Sequence, residues 1–363
     1  MGSASSASRS LDSTPPDLQD KNDNHESSEQ PPHLPHQPKA SSPLAAVLVA
    51  GSNNRSPNHH LPHHPRIPSP LSTVSLPGSK VPDSYIYSTC TGRKRALIIE
   101  INPNPPGIYC IDIPRITALL IDGYGFKLSK MRIMKAQYNK TTRGDMQPTR
   151  KNIIRSMQWL VKDARPNDSL FFFYSGHGEQ MKDYGGDELD GYDECLSIDD
   201  TAFVVDDEIH ELLVKPLKPG VRLTALINAC HSGSMLDLPY MYSPACEKHL
   251  IAAQDHREYP GTVRSSMTTT ATALDERTSP ADVVVWSSCH DSGKSYGMRT
   301  SKEKGTGLFV QAFLTALALK PKQSYGQLLN SINRELSCMR YKKLQSPRLS
   351  CSHPLDTNRR FFM

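Results

Sequence analysis

The chain has no hydrophobic run long enough to cross a bilayer. Outside the runs that read as core strands, its longest apolar stretch is Leu44–Ala50, against the roughly 20 residues a membrane helix needs. Stable membrane insertion is therefore not expected. It also lacks a basic block. Its 42 Lys and Arg against 37 Asp and Glu leave a net charge of only +5, spread along the chain without interleaved aromatics, which argues against a nucleic-acid partner. None of its eight cysteines forms a C-x-x-C pair, which argues against structural zinc. Their irregular spacing and the lack of a secretory signal favour reduced thiols in cytoplasm or nucleus. The opening Met1-Gly2-Ser3-Ala4-Ser5-Ser6 matches the short N-myristoylation pattern. One acyl chain anchors weakly and no polybasic patch follows, so a chance match in a Ser-rich tail is the better reading.

The first 84 residues hold 14 of the 29 prolines and seven of the 14 histidines. A segment of this composition cannot bury enough apolar area to offset chain entropy, so disorder is expected over 1–84. The pairs His59-His60 and His63-His64 are read as solvated low-complexity sequence, not as a metal site.

From about Lys94 the pattern becomes periodic. Arg95–Ile101, Met131–Met134, Ser169–Tyr174, Val221–Ile227 and Ala281–Trp286 read as buried strands. Ile113–Asp122 reads as a helix with Pro114 in its first turn. A second helix, capped by Thr149, places Ile153, Ile154, Met157, Leu160 and Val161 on one face. Further helices are expected from Asp206 or Asp207 to Val214, from Gly307 to Leu319 and from Tyr325 to Leu336. Arg359–Met363 reads as a short strand or tail. Strands alternating with helices predict an α/β fold with a mostly parallel central sheet covered on both faces. Residues 246–281 lose periodicity and fill with Ser, Thr and charges, as an exposed linker would.

Two strands end in chemistry. Ser169–Tyr174 runs into Ser175-Gly176-His177-Gly178, and Val221–Ile227 into Asn228-Ala229-Cys230-His231-Ser232-Gly233. Neighbouring parallel strands would place His177 and Cys230 at one carboxyl edge, where open α/β sheets bind ligands. A histidine there can take the thiol proton and create a nucleophile. Singly, each residue is more readily explained as structural, because a Cys ending an apolar strand is usually a small buried hydrophobe. Together, 53 positions apart, they fit the caspase-like His-to-Cys spacing. His231 is expected to point away along extended backbone and to be structural.

With these motifs the chain resembles the metacaspases, in particular the fungal type I group. The resemblance covers roughly residues 93–363. It includes Pro148-Thr149-Arg150-Lys151-Asn152-Ile153-Ile154, Ala164-Arg165-Pro166-Asn167-Asp168-Ser169-Leu170, Leu236-Asp237-Leu238-Pro239-Tyr240 and Leu349-Ser350-Cys351-Ser352-His353-Pro354-Leu355-Asp356-Thr357-Asn358. It implies a caspase–haemoglobinase fold, in which 85–245 is a large-subunit-like catalytic region and 282–363 a small-subunit-like region completing the same domain. It further implies a calcium-dependent cysteine endopeptidase that acts on polypeptides as a monomer and prefers Arg or Lys at P1. His177 then matches the base, Cys230 the nucleophile, and the backbone N–H groups of Gly178 and Cys230 the oxyanion donors. Exposed linkers in the family are often self-cut, and here the linker offers Lys248, Arg257, Arg264 and Arg277.

Calcium prefers several hard oxygens, often carboxylates. The loop Asp187-Glu188-Leu189-Asp190-Gly191-Tyr192-Asp193-Glu194 is acidic, Asp206-Asp207 precede a helix, and Asp237 follows the nucleophile. Capping and solvated charge explain these features equally well without the resemblance. With it, Asp193, Asp206, Asp207 and Asp237 match the family's calcium ligands.

The chain departs from the family in its P1 pocket. Asn228 stands where an Asp is usual, two residues before the nucleophile. In Cys110-Ile111-Asp112-Ile113 the second acidic position is Ile113, and Asp112 substitutes only if the register shifts by one. Ser175, the third pocket position, is retained, whereas Phe173 replaces a usual His and Glu179 a usual Gly. A buried guanidinium without a carboxylate costs several kcal/mol, so weakened or altered P1 selectivity is expected. The rival reading is a proteolytically weak homologue with a regulatory or binding role.

Overall fold

The computed structural model describes residues 85–101, 109–136, 144–185, 188, 191–244, 262–264, 277–300, 304–339 and 345–363. The segment read as disordered, 1–84, lies outside them, as does most of the expected linker. Along the chain come strand β1 (Lys94–Ile101), β2 (Tyr109–Cys110), helix α1 (Asp112–Ala118), β3 (Met131–Lys135), α2 (Arg150–Val161), β4 (Ser169–Gly176), β5 (Gly178–Lys182), β6 (Tyr192–Asp199), β7 (Ala202–Val205) and the short α3 (Asp206–Ile209). Then follow β8 (Arg222–Asn228), β9 (Tyr240–Tyr242), β10 (Thr262–Arg264), β11 (Asp282–Ser287), β12 (Gly297–Arg299), β13 (Lys304–Gly307), α4 (Leu308–Leu319), α5 (Tyr325–Cys338) and β14 (Arg348–Cys351).

The central sheet has the order β10-β9-β14-β11-β8-β4-β1-β3. Strands β3, β1, β4, β8 and β11 run parallel, and β14, β9 and β10 extend the sheet antiparallel. Side chains alternate across a strand, so each face collects its own core. Ala96, Ile98, Phe171, Phe173, Leu226 and Trp286 pack with α1, α4 and α5 on one side. Leu97, Ile99, Phe172, Tyr174, Ala225 and Val285 pack with α2 and the turn after α3 on the other. Burial on both faces is why these strands read as unbroken apolar runs.

Local chemistry sets the helix ends. Thr149 accepts the Asn152 N–H at 3.4 Å, the N-cap expected of it. Ser324 and Gln327 form a capping box on α5. The first helix starts one residue earlier than expected, at Asp112, and leaves regular α geometry after Ala118 for a wider turn through Gly123. The segment after His177, in which only an acidic loop was expected, is instead the antiparallel sheet β5-β6-β7. Its strand β6 buries Glu194, a polar residue that conceals the strand from a hydrophobicity pattern. The described parts of the expected linker are ordered differently from a solvated connection. Thr262–Arg264 pairs with β9, and Arg277, Ser279 and Ala281 are buried.

Candidate active site and an acidic cluster

In the parallel register Ser175 lies beside Asn228. Two residues later, each strand delivers its reactive side chain, so His177 and Cys230 occupy adjoining positions at the carboxyl edge. The His177 backbone is fixed: its carbonyl accepts the Ser197 N–H at 3.1 Å and lies 2.8 Å from the Tyr174 hydroxyl. Its side chain is exposed and Cys230 is half-buried, so solvent and substrate reach both. Gly178 packs against the Cys230 backbone so closely that a Cβ there would fall 2.0 Å from the Cys230 carbonyl oxygen. Glycine is required at that approach.

The thiol has a designed neighbour. The Ser295 N–H donates to Cys230 Sγ at 3.2 Å, a bond that strengthens when the acceptor is a thiolate. His231 does not continue extended. It turns into the left-handed region at φ 51°, donates its N–H to the Gly293 carbonyl at 3.1 Å, and sets Nδ1 against the Asp291 carbonyl. This is a structural role, reached through a turn that lifts Cys230 off the strand.

Beside the dyad lies the expected P1 wall. Asn228 donates from Nδ2 to Ser175 Oγ at 2.9 Å and accepts at Oδ1 from Ser295 Oγ at 3.2 Å. Gly307 lies against it, and a Cβ there would meet Asn228 Nδ2 at 2.4 Å. Asp112 is buried and turned to the same strand end. It accepts from Thr306 Oγ1, and from the Gly307 N–H at 3.0 Å. Burial pushes its carboxyl up, against the pull of those bonds. Ile113 instead joins the core under α1. Phe173, which stands where a histidine is usual in the family, is wholly buried in that core, and Glu179 is exposed on β5.

A second cluster draws on the loop before β6, on α3 and on the turn after Cys230. Glu188, Asp206 and Asp237 each bring a carboxylate oxygen within 4.8 Å of the others. Asp206 accepts the N–H groups of Glu194 at 2.8 Å and Asp207 at 2.9 Å. Burial, then the neighbouring Asp237, pushes the Asp206 carboxyl up to about 10. A guanidinium sits in the cluster: Arg277 lies 2.8 Å from Glu188 and 3.2 Å from Asp237. Of the four expected calcium ligands, Asp206 and Asp237 are brought together. Asp193 is half-buried on β6 and Asp207 exposed at the start of α3, and neither belongs to this group. Glu188 takes part although only the acidity of its loop marked it. Arg277, Ser295, Thr306 and Gly307 carried no local signal, since each arrives from a distant stretch of chain. The donors are hard oxygens from three segments, and they fit a calcium ion.

A thiol and an imidazole at one strand edge, with glycine packed against the thiol's backbone, define a cysteine peptidase of the caspase-like class. Residues 94–239 match the model of the metacaspase, peptidase C14 domain. Metacaspase-1A of Aspergillus fumigatus is 44% identical over 312 residues, covering 77% of this chain and 74% of that protein. Metacaspase-1 of Botryotinia fuckeliana is 43% identical over 312 residues, covering 77% and 73%. A crystal structure of a Geobacter sulfurreducens protein covers 73% of this chain and 95% of its own, at 20% identity and a TM-score of 0.46. The chain belongs to the metacaspase family and is a cysteine-type endopeptidase.

Proposed function

We propose that the chain is a calcium-dependent endopeptidase in which Cys230 attacks the scissile carbonyl and His177 manages the proton. The observation that supports this reading is the register that pairs Ser175 with Asn228, two residues before His177 and Cys230. His177 accepts the thiol proton, the thiolate adds to the carbonyl, and the protonated imidazole then gives its proton to the leaving amine. The backbone N–H groups of Gly178 and Cys230 are assigned to the developing oxyanion. Water, deprotonated by the same imidazole, then hydrolyses the thioester and frees the thiol. Glu188, Asp206 and Asp237 would hold calcium, which supplies a fixed double positive charge to an acidic group that Arg277 otherwise faces. Basic residues are the expected P1 class, although Asn228 cannot supply the charge to bind them. The test is cleavage of a P1-diverse peptide library with and without calcium, beside the Cys230→Ala variant. Calcium-dependent turnover that vanishes in the variant is expected, and full activity in the variant overturns the assignment.

A further inference from the structure

Glu100 ends the apolar strand Arg95-Ala96-Leu97-Ile98-Ile99-Glu100-Ile101. The parallel register pairs it with Ser175, and Ser175 with Asn228. The three residues therefore form one row across β1, β4 and β8 at the carboxyl edge. In-register residues of parallel strands share a face. Ile98, Phe173 and Leu226, two residues back on each strand, lie together in the core under α1. Glu100 thus projects to the face that holds Ser175, Asn228 and Asp112.

The Glu100 side chain is 3% exposed. One oxygen meets Lys135 Nζ at 2.9 Å, while Oε2 is buried with no hydrogen-bond partner. The Cys110 thiol offers this carboxyl only a weak hydrogen bond, so the desolvation cost of its second oxygen is at most partly offset. Lys135, at the end of the outermost strand β3, keeps 28% of its side chain exposed. It is a counter-ion with a path to solvent. Burial raises the Glu100 carboxyl, Lys135 and the Cys110 thiol pull it back down, and the nearby Asp112 adds a smaller upward push.

We infer that Glu100 is the specificity residue of the P1 pocket, supplying from β1 the negative charge that Asn228 does not carry on β8. The inference rests on the peptidase reading above. An Arg or Lys side chain entering beside Ser175 and Asn228 finds Glu100 Oε2 unmatched and displaces Lys135 toward solvent. Asp112, held by Thr306 and Gly307, is the second acid of the pocket. Basic P1 preference is then retained, contrary to the weakening that Asn228 and Ile113 alone imply.

The test separates binding from chemistry. On a Cys230→Ala background, calorimetry compares two peptides differing only at P1, Arg against Gln. The protein should bind the Arg peptide at least about tenfold more tightly, and Glu100→Gln should remove that difference while leaving Gln-peptide affinity within about twofold. Lys135→Met, which removes the competing ammonium, should increase the Arg preference. Glu100→Asp keeps the charge and should retain part of it. With Cys230 restored, the same changes should appear in kcat/KM. Equal binding of both peptides, an undiminished Arg preference in Glu100→Gln, or a parallel loss for both peptides would overturn the inference. Selective binding to a protein that cleaves no peptide would instead retain Glu100 and refute the peptidase reading.

Discussion

Arg277 and Asp237 face each other at 3.2 Å with both side chains almost wholly buried. An arginine from the far side of the 245–276 segment thus occupies an acidic group next to the nucleophile turn. A guanidinium and a calcium ion compete for the same oxygens. Arg277→Gln should therefore tighten calcium binding by about tenfold or more, since a buried charge-assisted bond is worth about 1.5–3 kcal/mol. Calorimetric titration in a Cys230→Ala background reads this directly, and an unchanged affinity would separate Arg277 from the metal.

The same titration distinguishes the ligand sets. Asp206→Asn should abolish calcium binding, because Asp206 belongs to the cluster and anchors Glu194 and Asp207 through their N–H groups. Asp207→Ala, at an exposed side chain, should retain most of it. The opposite order would restore the aspartate set implied by the family over the group formed by Glu188, Asp206 and Asp237.

Cys230→Ala and His177→Ala should each lower peptide turnover by at least about a thousandfold, since nucleophile and base act as a unit. Neither side chain is part of the core, so circular dichroism and melting temperature should remain near those of the wild type.

Asn228→Asp should raise kcat/KM for Arg at P1 by about tenfold or more through a new charge-assisted pair with substrate. The replaced amide already faces Ser175 and Ser295. A carboxylate accepts from both hydroxyls without moving. If the Arg-to-Gln ratio at P1 does not change, Asn228 does not govern the pocket.

Stability in acid should report the Arg222–Asp282 pair, which is fully buried at 2.5 Å. Burial alone would raise the Asp282 carboxyl, but Arg222 and His353 outweigh it and hold it well below the usual carboxylate range. An unfolded Asp titrates near about 3.9. The contribution is therefore complete above about pH 4 and is lost as pH falls from there toward the folded value. Asp282→Asn should cost about 3–5 kcal/mol at neutral pH, because Arg222 is left without its carboxylate. Its melting temperature should also fall less steeply than that of the wild type below pH 4. Parallel pH profiles would show that another group controls acid unfolding.

The central strands and both reactive side chains were legible because burial on two faces writes a continuous apolar run, and because each run stops where the chemistry begins. Thr149 and Pro114 marked helix starts by local rules that tertiary contacts did not override. The β5-β6-β7 sheet was hidden by its buried polar residue, Glu194, whose burial is set by Ser234 and Gln180 and not by its own strand. The acidic cluster was half legible: carboxylates at Asp206 and Asp237 were expected, but Glu188 and Arg277 meet them only through folding. His231 was placed on the wrong backbone conformation because a left-handed turn at a non-glycine residue leaves no compositional trace.

The strand order also governs what a nick in the chain would do. Strands β11 and β14 follow the 245–276 segment, yet in the sheet they are inserted between β8 and β9, which precede it. Two chain pieces produced by a cut in that segment would be woven together like warp and weft. Ladders bind the later piece on both sides, and the Arg222–Asp282 pair ties its first strand to the earlier piece. Cleavage there changes connectivity without releasing a fragment. The nicked protein should travel as one particle until it is denatured, and any change of activity on cutting must come from freed chain ends, not from a departing subunit.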